Sequence, residues 1–138
     1  MAEFEIIDAH AHLARTPEEE RNYWLFAGRR ACDRYGTPER AVEYMERQGI
    51  SKMTFLTLIG RQYRGPLVEK AKLGSLPEKE RREAEKKIGE QVAPKMREIN
   101  EWGCEVGKRF PQLLPFSCIS PELGGAEGMI KEVELRAS

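Results

Sequence analysis

This sequence predicts an α/β fold built on a parallel sheet, and three observations carry that prediction. A first apolar strand, Phe4-Glu5-Ile6-Ile7-Asp8-Ala9, runs directly into His10-Ala11-His12. A second strand, Met53-Thr54-Phe55-Leu56-Thr57-Leu58-Ile59, is nearly all apolar or β-branched, the composition of a strand covered on both faces. The segments between strands are helical in pattern and long enough to be crossovers joining parallel neighbours.

Residues 14–36 form a loop or irregular helix carrying Tyr23, Trp24, Phe26, Arg29, Arg30 and Tyr35. The first clear helix starts at Thr37-Pro38-Glu39-Arg40, with Thr37 as N-cap and Pro38 at the first helical position. Ala41, Val42 and Met45 supply its apolar face, and Gly49 takes the place of a C-terminal glycine. Gly60 ends the second strand. Residues 61–93 change in character: Leu76-Pro77-Glu78 through Gln91 is almost solid Glu, Lys and Arg, broken by Ala84, Ile88 and Gly89. That composition suits a solvated helix laced with i,i+4 charge pairs, and it predicts a charged helical insertion; the alternative is a subunit-contact arm. A helix from Pro94 carries Met96, Ile99, Trp102, Cys104 and Val106 on or near one side and stops at Phe110-Pro111. The third strand is Leu113-Leu114-Pro115-Phe116-Ser117-Cys118-Ile119, ended by Ser120-Pro121. A final helix has Ala126, Met129, Ile130, Val133 and Ala137 in one apolar stripe. The order is βα-βα-βα, without an internal repeat.

At 138 residues the chain has the length of one domain. Its 23 acidic and 23 basic residues balance, so no global field draws it to nucleic acid or to a membrane surface. Three cysteines, an odd count without close pairing, fit a reducing compartment. An acidic N-terminus enters the first strand at once, so no signal peptide is expected, and no apolar run approaches the roughly 18 residues of a membrane span. The expectation is a soluble, cytoplasmic protein that meets a small-molecule substrate.

His10 and His12 are the only histidines. Residues i and i+2 of a strand point to one face with Cα atoms about 6.7 Å apart. Two imidazoles so placed can converge on one metal ion at Zn–N distances of about 2.0–2.1 Å. Asp8 shares that face one step lower, where it could orient His10 or hold a proton. The plainer alternative is a pair of solvated histidines at a strand end. Thr57 and Cys118 could face either side of the sheet, and Cys118 reads as a small buried hydrophobe and not a nucleophile.

Four features in order resemble one family, the amidohydrolase-related metal-dependent hydrolases, which include the aminocarboxymuconate semialdehyde and γ-resorcylate decarboxylases. They are Ile6-Ile7-Asp8-Ala9-His10-Ala11-His12-Leu13; Thr37-Pro38-Glu39 leading through Met45 to Lys52 into the second strand; Asn100-Glu101-Trp102 running to Arg109-Phe110-Pro111; and the third strand followed by Ser120-Pro121. The resemblance implies a (β/α)8 barrel of about 250 residues with the metal at the C-terminal ends of the strands. It also implies a further His and an Asp after later strands, and no histidine follows His12. Residues 1–138 are therefore expected to be the first three βα units of a truncated TIM barrel, with the charged helical insertion at about 61–93.

On this resemblance His10 and His12 are metal ligands and Asp8 a supporting or ligating group. The ion is zinc by default, although imidazole suits Mn, Fe or Ni as well. The activity is that of a metal-dependent hydrolase or decarboxylase acting on small carboxylic or aromatic substrates. No catalytic residue is assigned within this chain, which alone is expected to be a poor catalyst. Residues 14–36 become the loop over the site, where Trp24, Phe26, Arg29 and Arg30 could hold an aromatic or anionic substrate; the plainer alternative is a loop packed on itself. Other barrels opening with H-x-H, phosphotriesterase-like hydrolases or deoxyribonuclease-type phosphoesterases, are the alternative enzyme. A non-catalytic α/β fragment pairing through its sheet edge with another copy or a partner, and a homo-oligomer built on the charged helices, are the alternatives outside catalysis.

Overall fold

The computed structural model describes residues 5–26, 28, 36–59 and 61–137. Strands β1 (Ile7–His12), β2 (Lys52–Leu56) and β3 (Leu113–Phe116) form a sheet, parallel throughout and in the order β1-β2-β3. Five α-helices and two short 3-10 turns, at Leu73–Ser75 and Pro121–Leu123, accompany it among the described residues: α1 (Pro17–Phe26), α2 (Pro38–Gln48), α3 (Arg61–Ala71), α4 (Glu78–Arg109) and α5 (Gly125–Ala137). The class and the strand order are those expected from sequence. The strands are shorter than expected: β1 begins at Ile7 and not at Phe4, and β2 ends at Leu56 and not at Ile59, while Phe4 and Gly60 themselves lie outside the described residues.

Local chemistry sets the boundaries of α2. Thr37 is extended and makes no side-chain cap bond, so Pro38, with its fixed φ, carries the start of the helix. Gly49 ends it at φ 69°, a left-handed conformation that a side chain would strain. Ala41 and Met45 then meet Met53 and Phe55 of β2, Leu113 of β3 and Val106 of α4 in a first core cluster. Each large side chain buried there contributes about 1.5–3 kcal/mol of transfer free energy.

Where the composition predicts a new helix at Pro94, α4 instead runs unbroken for 32 residues. Ile88, Val92, Met96, Ile99, Gly103 and Val106 lie on its buried side at helical spacing, so one stripe crosses the proline. Residues 61–93 are helical but not simply a solvated insertion. Ile88, Val92 and Ala93 join Met96 and Leu123 in a second core cluster, against which Leu67 and Val68 of α3 pack. Only the first turns of α4, Glu78–Glu83, stand fully in solvent.

The final helix differs from its pattern in a second way. Its apolar stripe faces outward, with Ile130 and Val133 more than half exposed, while Glu132 is 2 % exposed. Polar partners decide the orientation: Asn100 and Arg136 both bond the Glu132 carboxylate, which a solvated helix face could not offer them.

Helix α4 lies close over the sheet because two of its residues have no side chain. A Cβ at Gly103 would run into Thr57 Cγ2, and one at Gly107 would lie 3.0 Å from Pro115 Cδ. On the opposite face, His12, Leu56 and Phe116 align in register across the three strands. Phe116 is 59 % exposed there, so this face is open at β3.

Candidate functional site

The histidine pair is aimed by an irregularity in β1. From Asp8 to Ala11 the strand advances three residues while its neighbour advances two, from Met53 to Phe55. Such a bulge breaks simple alternation and re-aims the side chains beside it. Met53 and Phe55 both face α2 and α4, so Asp8 falls on Ala11's side of the sheet and not beneath His12. The alternation that places Asp8 with the histidines is therefore lost. Its carboxylate instead accepts the His10 backbone N–H at 3.1 Å, pinning the bulge.

His10 and His12 do converge. Their Nε2 atoms lie 3.1 Å apart, with ring centroids 4.9 Å apart and planes at 80°. One Nε2–H donates to the other ring's lone pair, the tautomers deciding which. Burial, and secondarily the charge of His10, push the His12 imidazole below its ordinary 6.5. A neutral imidazole is the form that ligates metal. Two ligands on a tetrahedral zinc at 2.0–2.1 Å stand about 3.3 Å apart, so the observed separation fits two adjacent positions of one ion. Among the described residues no group of three or more His, Cys, Asp or Glu gathers to hold a metal. The pair therefore offers two ligands and no third.

Beside His12 a cavity of about 140 Å³ opens at the C-terminal end of the sheet. Leu56, Thr57 and Leu58 form one wall, Ile99 and Trp102 of α4 another, and Arg15, Glu19, Glu20, Tyr23 and Trp24 the cover, with Tyr63 from α3. The cover is α1, an ordered helix where a loop or irregular helix was expected. Glu20 ties it down, accepting the Trp24 indole N–H at 3.2 Å and the Gly36 backbone N–H.

Arg15 carries the electrostatics of the cover. It bonds Glu19 of α1 at 2.8 Å and also reaches Glu98 of α4. Lys95 bonds the same Glu98 at 2.8 Å, and the Tyr63 hydroxyl donates to Glu19 at 3.3 Å. Burial pushes the Glu19 carboxyl up, but bonds from the Arg15 side chain and backbone, with the Tyr63 hydroxyl, outweigh it and hold the group below its ordinary 4.5. A carboxyl so depressed stabilises the fold above its unfolded value, and the contribution is lost as pH falls through the folded value. The urea midpoint is accordingly expected to fall as pH is lowered from about 6 to about 3, and to fall less in Glu19→Gln. Equal acid sensitivity in the two proteins would show that the pair contributes nothing.

Beneath the cavity lies a buried network that sequence patterning did not single out as functional. Asn100 is fully buried. Its Oδ1 accepts the Cys118 backbone N–H at 2.8 Å, and its Nδ2 donates to the Cys118 carbonyl at 2.9 Å and to Glu132 at 3.0 Å. The Thr57 hydroxyl, 2.8 Å from Asn100 Oδ1 and 3.0 Å from the Phe116 carbonyl, shares its proton between them. One amide thus joins the ends of β2 and β3 to α4 and α5. Burial raises the Cys118 thiol above its ordinary value, in keeping with a packing role.

Trp24 stands in the cavity wall. Arg29, Arg30 and the Phe26 side chain lie outside the described residues. Comparison with family models, with curated proteins and with solved structures finds no match. Among the described residues no helix is long and apolar enough to cross a membrane.

Proposed function

We propose that this chain carries the opening βα units of a metal-dependent hydrolase or decarboxylase barrel, with His10 and His12 as two ligands of a divalent ion, zinc by default. The observation that supports this best is the convergence of the two imidazoles, 3.1 Å apart at Nε2, where the first strand of a parallel sheet ends beside a cavity. Bound metal would polarise a carbonyl or carboxylate and lower the pKa of a bound water. The chain's own residues do the rest: the bulge pinned by Asp8 aims the rings, and α1 with Trp102 lines a small, mostly apolar space beside them.

Two imidazoles make half of a tetrahedral shell, and the remaining ligands would come from later strands of the same barrel. Titration of the 138-residue chain with Zn²⁺ in a calorimeter is expected to give weak binding, about 10 µM or weaker, that vanishes in the His10→Ala, His12→Ala double variant. Binding that survives the double variant would remove the histidines from the site. Tight one-to-one binding lost in the double variant would mean that the shell is complete here, and the partial-barrel reading would fall.

A further inference from the structure

We propose that two copies of this chain share one divalent ion, each supplying His10 and His12, with the open faces of their sheets apposed. The inference rests on the ligation by the two histidines proposed above; it names the partner that completes the shell for the 138-residue chain.

The half-filled shell is the first argument. The two Nε2 atoms, 3.1 Å apart, span one edge of a tetrahedron, and among the described residues no third His, Cys, Asp or Glu joins them. Both rings are exposed, so the empty corners are open to a partner. His10 and His12 are the chain's only histidines, and the next imidazoles are those of a second copy. A twofold axis exchanges opposite edges of a tetrahedron, and twofold dimers are the commonest assemblies. A half-shell of two is therefore complementary to itself.

The sheet supplies the second argument. Ile7 pairs with Lys52, Leu114 with Thr54 and Phe116 with Leu56, so these side chains share the face of His12, opposite the first core cluster. Ile7 is 55 %, Leu114 41 % and Phe116 59 % exposed, although parallel sheets are ordinarily covered on both faces. Lys52 carries the one charge among the strand residues of this face. It lies at the end far from His12, bonded to the Pro111 carbonyl at 3.1 Å.

The two arguments agree in their geometry. An imidazole holds zinc about 6 Å from its own Cα, so an ion between two copies sets their sheets about 10–12 Å apart. Packed sheets stand about 10 Å apart. Opposite edges of a tetrahedron are perpendicular, so the two β1 strands cross at about 90°, which is one of the two ways sheets pack. Of the twofold axes that this crossing allows, one lays the sheets over each other. Phe116, about 10 Å across the sheet from His12, then meets Ile7 of the second copy, about 13 Å down its strand. The overlap, roughly 10 Å by 13 Å, is far below the 800 Å² or so per partner of a stable interface. The faces alone do not hold the dimer; the ion is needed.

Sedimentation velocity at about 100 µM chain, well above the weak single-copy constant, reads the assembly, and atomic absorption reads the bound metal. In EDTA the chain is expected to be a monomer. Zinc should convert it to a dimer that saturates at one ion per two chains, and the His10→Ala, His12→Ala double variant should stay monomeric. Phe116→Glu should still bind zinc through the histidines but dimerise about tenfold more weakly, or worse. Circular dichroism checks that each variant folds, and the stoichiometry of the unmodified chain stands by itself if one does not. Zinc bound by a chain that stays monomeric would overturn the shared site and leave the partial-barrel reading standing, whereas no zinc bound would overturn both. A dimer in EDTA, association that survives the double variant or grows past two chains, or a Phe116→Glu dimer as strong as the unmodified one would each overturn the proposal.

Discussion

Asn100→Leu is expected to lower stability by about 3–5 kcal/mol, measured as a shift of the urea midpoint at constant slope. Leucine is similar in size, so the effect is not a cavity. It comes from polar groups left behind in a place water does not reach. The Cys118 carbonyl loses its 2.9 Å donor and Glu132 loses one of its donors. Each such orphan costs about 1–3 kcal/mol. Asn100→Asp separates charge from shape. A carboxylate there would face Glu132 and the Cys118 carbonyl, repelling both, and part of the loss should return as acid protonates one of the two carboxyls. A midpoint within about 0.5 kcal/mol of the unmodified chain in Asn100→Leu would mean that the network contributes little.

Phe55→Ala is expected to cost a comparable 3–5 kcal/mol through a different physical route. Phe55 has no exposed surface and meets Trp102 edge to face, ring centroids 6.0 Å apart. Truncation forfeits the transfer free energy of the ring and leaves a void between β2 and α4. Gly103 brings the backbone of α4 onto Thr57, which holds the helix in place and limits how far the void can collapse. Because Trp102 also walls the cavity, its emission should change in the folded variant. A loss below about 1 kcal/mol would show that the surrounding core repacks freely.

Much of the scaffold is legible from local chemistry. Thr37-Pro38 and Gly49 bound α2 because a fixed φ and a left-handed turn are properties of those residues alone. The H-x-H spacing locates the convergent imidazoles, since a strand end puts them near each other before any tertiary contact forms. What is not legible depends on partners far away in sequence. Pro94 resembles a helix start, yet a stripe that continues on both sides of it carries α4 through. The period-2 argument for Asp8 fails because one bulge shifts the phase of the strand, and nothing in Asp8-Ala9-His10 announces a bulge. The apolar stripe of α5 is real, but Glu132 turns the helix by meeting Asn100, 32 positions away. Arg15 draws no notice beside Arg29 and Arg30 until Glu98 is seen across from it.

Helix α4 has a mechanical consequence of its own. At 1.5 Å per residue its 32 residues make a rod about 48 Å long, far longer than the strands it crosses. The rod threads both hydrophobic clusters, with Val106 in one and Ile88 and Val92 in the other. Because the same helix contributes to both, the two clusters are expected to melt together. One rung of the ladder is missing, because Pro94 has no N–H to give the Glu90 carbonyl. That gap lies within the second cluster's hold on the rod, flanked by Val92 and Met96 and one turn from the glutamate that reaches Arg15, so side-chain packing and not the backbone ladder keeps α4 straight there.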